Sequence, residues 1–183
     1  MYEISDGWFI QARKIPSPNY NKRPENVTID SIIIHSISLP PGQYGGDEID
    51  RFFSNQLNWN EHAYFREIEG LQVSSHLLIR RNGELVQYVN LYDRAWHAGQ
   101  SCLAGQENCN DFSIGIELEG TDVSPFENSQ YETLLAVLKT LKNYFPEITA
   151  EKIVGHSDIA PGRKTDPGSG FDWNVLKLSL IHI

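Results

Sequence analysis

The segment Ser31-Ile32-Ile33-Ile34-His35-Ser36 places three consecutive β-branched residues directly before a histidine. A continuous β-branched run predicts a strand that is buried on both faces of a sheet. The run gives way to a breaker segment, Leu39-Pro40-Pro41-Gly42 through Gly45-Gly46, which predicts a loop. The histidine is therefore expected at the end of a core strand, where a loop opens.

Further strands are predicted along the chain. Residues 74–89 form a predicted hairpin around Asn82-Gly83, a dipeptide that suits a tight turn. Residues 111–119 alternate apolar residues with glycine and glutamate, so Glu117 and Glu119 share one strand face. A short strand is also predicted over residues 152–156, leading into a loop.

The helical period is clearest over residues 129–145. Ser129 and Glu132 match a capping box at its start, and Pro146 ends it. Asp47 is expected to cap a second helix, and Asp172 a closing third one.

Residues 1–30 are rich in proline, asparagine and charge. They predict an irregular N-terminal arm with a short helix around Gly7–Arg13. Strands and helices are mixed without strict alternation beyond the arm. This predicts an α/β fold with a central mixed β-sheet flanked by α-helices.

Length and charge narrow the class of protein. The 183 residues fit a single domain, 1–183, with one core. A formal net charge of -9 repels phosphate backbones, so no nucleic-acid partner is expected. No apolar run is long enough to span a membrane, and the N-terminus lacks the basic-then-apolar order of a signal peptide. The expected location is cytoplasmic, with Cys102 and Cys109 as thiols and a monomer as the working expectation.

Residues 155–168 carry the densest set of chemically active side chains. His156, Lys164 and Asp166 lie in a loop stiffened by proline and glycine, and such loops often hold catalytic groups. Two histidines and a carboxylate would give a catalytic zinc its three protein ligands. Taken alone, His35 and His156 each fit a buried structural histidine better than a ligand, and His62 or His76 could replace either one. His182, beside the C-terminus, is expected to be inert.

Three other groups are candidates for the chemistry or the substrate. Either Glu117 or Glu119 could serve as a general base, or both could line a half-exposed strand face. Burial would raise the pKa of Glu117, which lies deeper in the apolar run. Lys164 could stabilise an oxyanion or be a solvated surface lysine. Trp96 and His97, beside two small residues, could contact a sugar or belong to the core.

Four segments together resemble the AmpD family of cytoplasmic 1,6-anhydro-N-acetylmuramoyl-L-alanine amidases. The resemblance covers nearly the whole chain and keeps the order of the motifs. The segments are Ile34–Gly42, Arg94–Gly99, Asn110–Gly120 and Arg163–Gly168. The resemblance implies the amidase/peptidoglycan-recognition fold and a role in recycling cell-wall fragments.

The resemblance also implies roles for particular residues. The zinc ligands would be His35, His156 and Asp166. Glu117 would be the catalytic acid/base, and Lys164 would steady the tetrahedral intermediate.

In the same comparison, Tyr64 matches a tyrosine near the metal, and Trp96 and His97 would line the groove for the anhydro sugar and peptide. Zn²⁺ would be the cofactor, and an anhydromuropeptide the substrate. The bond cut would be the amide between N-acetylmuramic acid and L-alanine.

Four positions depart from the family pattern. Ser36 and Asp158 stand where related sequences often have asparagine, and Gln72 and Asn108 stand where basic residues are expected to meet the peptide. Two other functions remain open. One is a peptidoglycan-binding module without catalysis, and the other is an amidase that acts on intact cell wall.

Overall fold

A six-stranded mixed sheet forms the centre of the computed structural model, which describes residues 2–180. His182 lies outside the described residues. The strands, several of only two or three residues, are β1 (Ile4–Ser5), β2 (Trp8–Phe9), β3 (Arg13–Lys14), β4 (Tyr20–Lys22), β5 (Ser31–Ile37), β6 (Leu77–Ile79), β7 (Leu85–Gln87), β8 (Asp93–Ala95), β9 (Cys102–Leu103), β10 (Gln106–Glu107), β11 (Ser113–Glu119) and β12 (Ile153–Gly155). The helices are α1 (Glu48–Phe53), α2 (Ala63–Glu67), α3 (Asn128–Tyr144), α4 (His156–Ile159) and α5 (Trp173–Leu180).

The central sheet has the strand order β12-β5-β11-β6-β7-β3. Its first four strands run parallel, while β6 and β7 form the antiparallel hairpin predicted around Asn82-Gly83. Gly83 adopts a φ of +85°, a left-handed conformation that glycine reaches without steric cost. The predicted α/β class and mixed sheet are confirmed, and the carboxyl ends of three adjacent parallel strands meet at one edge.

The two faces of the sheet are covered differently. One face packs Ile32, Ile34 and Ile116 against the apolar stripe of α3 and against α5. Each such side chain, fully buried, contributes roughly 1.5–3 kcal/mol to folding. On the other face, one cluster forms around α1 and α2, and a second forms around Ile33 and Ile159. His35 lies on this second face, because it is two residues after Ile33 on the same strand. Glu117 pairs in register with His35 and shares that face.

The start of α3 and the capping contact of α1 differ from the predicted ones. Helix α3 begins at Asn128, because the Glu127 N–H donates to Gln130 Oε1 at 3.0 Å while the Ser129 hydroxyl donates to the Arg81 carbonyl. Asp47 does occupy the N-cap of α1, but its carboxylate accepts from Arg51 Nε instead of a backbone N–H. Asp172 caps α5 as predicted, with its Oδ1 accepting from the Asn174 N–H at 2.9 Å.

The N-terminal segment pairs with the central sheet and contributes a side chain to the core. The predicted helix over Gly7–Arg13 is wrong: β2 and β3 occupy its ends, and β3 pairs with β7 at the edge of the central sheet. Phe9 is fully buried in the core. Between residues 2 and 180, no helix is long and apolar enough to cross a bilayer.

Candidate functional site

The candidate site lies at the carboxyl ends of β12, β5 and β11. His35 is the fifth residue of β5 and pairs in register with Glu117 of β11. His156 follows β12 directly, as the first residue of α4. Asp166 reaches the same place from the loop after α4, where the Ser157 N–H donates to its carbonyl at 2.9 Å. Sheet pairing and the loop after α4 thus bring together residues separated by up to 131 positions.

The three side chains His35, His156 and Asp166 converge on one point. The two Nδ1 atoms lie 3.0 Å apart, and each is 3.1 Å from Asp166 Oδ2. Ligands about 2.0–2.1 Å from a tetrahedral zinc are separated by roughly 3.3 Å, so this donor set fits such an ion with little adjustment. Among residues 2–180 it is the only cluster of three or more potential metal ligands of the His, Cys, Asp and Glu types.

The outer nitrogen of His156 fixes how that ring meets the cluster. His156 Nε2 lies 3.1 Å from the Ala98 carbonyl oxygen. Since a carbonyl can only accept, Nε2 carries the proton and Nδ1 presents its lone pair to the cluster. The same carbonyl accepts from Arg163 Nη2 at 2.8 Å, and Arg163 Nη2 also donates to the Gln100 carbonyl. These two hydrogen bonds connect the loop that carries Asp166 to residues 98–100.

Burial and the close contacts within the cluster shift the pKa values of His35 and Asp166. Burial lowers the pKa of His35 to about 4, so the ring is neutral at pH 7. Burial alone would raise the pKa of Asp166, but the His156 and His35 side chains, each 3.1 Å from its Oδ2, lower that pKa below the usual range. A neutral imidazole at His35 and an ionised carboxylate at Asp166 are the forms in which these side chains bind a metal.

Glu117 is a buried carboxyl group without a partner. Its Oε2 atom is inaccessible and makes no hydrogen bond with any of residues 2–180. Burial, and then repulsion from Asp166, raises the pKa of Glu117 well above its ordinary value. A carboxyl group with a raised pKa is suited to take up and release a proton during catalysis.

Glu119 has a different environment although it shares the strand face. Its Oε1 accepts from the Gly45 N–H at 2.7 Å and from Arg80 Nη1 at 3.3 Å, and its Oε2 accepts from the Arg81 N–H at 3.0 Å. All seven residues of β11 are buried, so the alternative of a half-exposed polar face is wrong. Glu119 therefore ties β11 to two neighbouring segments.

A cavity of about 440 Å³ opens over the cluster. Its lining includes the predicted residues Tyr64, Trp96, His97, Glu117 and Lys164. The segment from α2 to Val73 contributes an apolar wall with Ile68 and Leu71, which the sequence analysis did not single out. The Lys164 side chain is exposed, lines this cavity and lowers the pKa of Glu117 through its charge.

Trp96 and His97 occupy the cavity wall in different ways. The Trp96 indole N–H donates to Asn21 Oδ1 at 2.7 Å, so β4 of the N-terminal segment holds the ring in place. His97 points both ring nitrogens inward, with Nδ1 2.9 Å from His35 Nε2 and Nε2 3.3 Å from Ser113 Oγ.

The two rival histidines lie apart from the cluster. His62 is exposed at the N-cap of α2, where its Nδ1 accepts from the Tyr64 N–H at 3.1 Å. His76 is fully buried, with Nδ1 accepting from the Gly115 N–H and Nε2 lying 3.1 Å from the Asp93 carbonyl. Burial lowers the pKa of His76 to about 3, so this ring is neutral and structural.

Asp122 is a residue of the site that the sequence analysis missed. Its Oδ1 accepts from Ser36 Oγ at 2.8 Å, and its Oδ2 accepts from Thr165 Oγ1. Ser36 follows one member of the cluster and Thr165 precedes another, so Asp122 bridges the two segments. Its position three residues after the end of β11 was the available signal.

The other departures from the family pattern lie away from the cavity floor. Asn108 adopts a left-handed φ of +59°, which asparagine tolerates. Neither Asn108 nor the exposed Gln72 lines the cavity. Asp158 Oδ2 accepts from the Gly155 N–H at 2.7 Å at the start of α4, which gives that residue a local structural role.

Comparison with known proteins places the chain among cell-wall amidases. The model of the Amidase_2 family, described as N-acetylmuramoyl-L-alanine amidase, matches residues 25–169. The 1,6-anhydro-N-acetylmuramyl-L-alanine amidase AmpD of Enterobacter cloacae is 53% identical over 171 residues, which cover 93% of this chain and 91% of that protein.

Two solved structures match the fold. A crystal structure of AmpD superposes with a TM-score of 0.94 at 49% identity, covering 97% of this chain and 99% of the other. The amidase AmiD of Escherichia coli, in complex with anhydro-N-acetylmuramic acid-L-Ala-D-γ-Glu-L-Lys, matches with a TM-score of 0.60 at 29% identity. That match covers 97% of this chain and 65% of AmiD.

Proposed function

Because this chain belongs to the N-acetylmuramoyl-L-alanine amidase family and to its AmpD group, we propose that it is a zinc hydrolase acting on anhydromuropeptides. The bond cleaved is the amide between 1,6-anhydro-N-acetylmuramic acid and L-alanine. One observation carries the proposal: three potential ligand atoms converge within 3.1 Å of one another beside a buried, unpartnered carboxyl group.

The proposed metal ligands are His35, His156 and Asp166. Two neutral imidazoles and a carboxylate are a usual donor set for catalytic zinc, which keeps a further position open. The ion supplies a Lewis acid that polarises the scissile carbonyl and lowers the pKa of a water molecule towards 7.

Glu117 is the proposed general acid and base. Its carboxylate accepts a proton from the water that attacks the lactyl carbonyl carbon. The carboxylic acid so formed then delivers that proton to the L-alanine nitrogen as the C–N bond breaks. The raised pKa of Glu117, caused by burial, supports both transfers.

Lys164 is the proposed partner of the oxyanion. Its side chain lies on the cavity wall, where a positive charge would stabilise the oxyanion that forms from the carbonyl. Loss of one such donor typically lowers kcat by about 10²–10³-fold. Tyr64 and Trp96 are proposed to contact the sugar and peptide along the same wall.

The proposed setting is the cytoplasm, where the enzyme would recycle soluble wall fragments. The support is the identity of 53% with an enzyme named for the 1,6-anhydro substrate, over more than nine-tenths of both chains. The binding-module alternative has no specific support, since all three ligand positions hold residues able to bind a metal.

The test is mass spectrometry of products from anhydromuropeptide and, separately, from intact murein. The zinc-loaded wild type is expected to release free peptide from the soluble fragment and little from murein. The Glu117→Gln variant serves as the matched control and should release none above background. A preference for murein would support the intact-wall amidase, and binding without peptide release would support the binding module.

A further inference from the structure

His97 lies in a chain of hydrogen bonds behind the candidate metal site. His35 Nε2 is 2.9 Å from His97 Nδ1, and His97 Nε2 is 3.3 Å from Ser113 Oγ. The Ser113 hydroxyl is in turn 2.5 Å from the Cys109 carbonyl oxygen. These hydrogen bonds therefore connect the candidate metal site to the backbone of the buried residue Cys109.

Each proton in this chain has one consistent location. The Cys109 carbonyl can only accept, so the Ser113 hydroxyl donates to it and its oxygen is left to accept from His97 Nε2–H. His97 is then a neutral ring with a lone pair on Nδ1. That lone pair accepts from His35 Nε2–H, which leaves His35 Nδ1 unprotonated and turned towards His156 and Asp166.

Gly115 leaves room for the His97 ring. A Cβ atom at this position of β11 would lie 2.5 Å from His97 Cγ, closer than two carbon atoms can approach. Any side chain here would push the imidazole away from His35. The lack of a side chain at position 115 thus allows the ring to lie over the strand, within reach of His35.

We propose that His97 is a positioning residue for the metal ligand His35, rather than a residue that recognises the sugar or peptide. Both of its polar atoms are engaged inside the protein, so only the ring face and edge remain for the cavity. Outer partners of this type hold a ligand in one tautomer and orientation. This inference rests on the proposed metal-dependent function.

The test measures zinc affinity, by competition with a chromophoric chelator, in two matched variants. His97→Phe keeps a planar ring but has no acceptor, and a loss of about 10–100-fold in zinc affinity is expected. His97→Asn carries Oδ1 on Cγ, where histidine carries Nδ1, so it restores an acceptor and should recover most of that loss. KM for anhydromuropeptide, measured at saturating zinc, should change little in His97→Asn.

The outcomes separate the inference from the proposed function. Zinc affinity equal to wild type in His97→Phe, together with a raised KM in both variants, would overturn the positioning role and leave the amidase proposal standing. A wild-type protein without measurable zinc affinity would overturn both.

A second measurement needs no variant and covers the case in which His97→Phe fails to fold. Long-range ¹H–¹⁵N spectra of the zinc-loaded wild type should show His97 and His35 each protonated on Nε2. Protonation of His97 on Nδ1 would contradict the inference.

Discussion

Glu117 and Glu119 lie two residues apart on one face of β11, but their surroundings give them different chemistry. The Glu119 carboxylate accepts three hydrogen bonds, including one from the buried Arg80. The buried Oε2 of Glu117 accepts none. Alternation along the strand shows that the two residues share a face, but only the tertiary contacts distinguish a structural carboxylate from one free to move a proton.

Removal of Glu119 should destabilise the fold. Glu119→Ala leaves Arg80 with Asp50 and Glu84, 2.8 and 3.7 Å away, and removes the acceptor of two backbone N–H groups. Unsatisfied buried groups cost about 1–3 kcal/mol. Urea unfolding of the metal-free protein measures the change, and an unaltered midpoint would contradict the assigned contacts.

Replacement of Glu117 should have the opposite effect on the metal-free protein. Its pKa is raised by burial, so the native state binds a proton more readily than the unfolded state, and stability falls as pH rises through the raised pKa. Glu117→Gln removes this loss. The free energy of unfolding of the variant should exceed that of wild type increasingly from pH 5 to pH 8, and a constant difference would contradict the raised pKa.

At the level of elements, contacts with distant segments hold in place the loop after α4, which carries the two proposed functional residues Lys164 and Asp166. Arg163 donates to the Ala98 and Gln100 carbonyls, and Asp122 accepts from Thr165 and Ser36. The proline and glycine content predicts a stiff loop at this position. It does not predict the partners, because those lie 43 and 65 residues away along the chain.

The Asp122 bridge can be tested by a change that keeps the shape of the side chain. Asp122→Asn loses one acceptor atom and should loosen the loop that carries Lys164 and Asp166. Misplacement of catalytic groups by about 1 Å can lower the rate by about 100-fold, so kcat/KM should fall by about 10–100-fold. Ser169→Ala is the control, because it removes only a long contact of 3.5 Å to the Asp122 backbone carbonyl and leaves the Asp122 carboxylate intact. Equal activity in both variants would contradict the role of the bridge.

Local pattern located most elements, while their ends depended on tertiary contacts. The strand Ser31–Ile37 follows from its β-branched run, and the hairpin follows from Asn82-Gly83. The start of α3 was displaced because Ser129 bonds to Arg81 across the domain. Strands β3 and β4 were missed because their pairing partners, β7 and β8, lie far along the chain.

Across the whole molecule, buried neutral histidines should limit stability in acid. Burial lowers the pKa of His76 to about 3 and that of His35 to about 4, compared with 6.5 for an ordinary histidine. The unfolded chain therefore binds more protons below pH 6.5, and stability falls as pH falls from 6.5 towards these values. Each histidine accounts for about 2 kcal/mol between pH 6.5 and pH 5.

Urea unfolding of the metal-free protein at pH 7 and pH 5 measures this loss. His76→Gln should make the pH dependence shallower. His62→Asn, a change at an exposed helix cap, should leave it as in wild type. Equal stability at the two pH values in the Glu117→Gln background, which lacks the opposing effect of that carboxyl group, would contradict the neutral buried histidines.

The central claim is that His35, His156 and Asp166 hold a zinc ion that the amidase reaction requires. It is tested most directly by measuring bound zinc and peptide release in the same preparations of three proteins. Wild type should hold one zinc per chain and cleave anhydromuropeptide, Glu117→Gln should hold one zinc and cleave none, and His156→Ala should lack both. Full cleavage by His156→Ala, or by wild type stripped of zinc with a chelator, would contradict the claim.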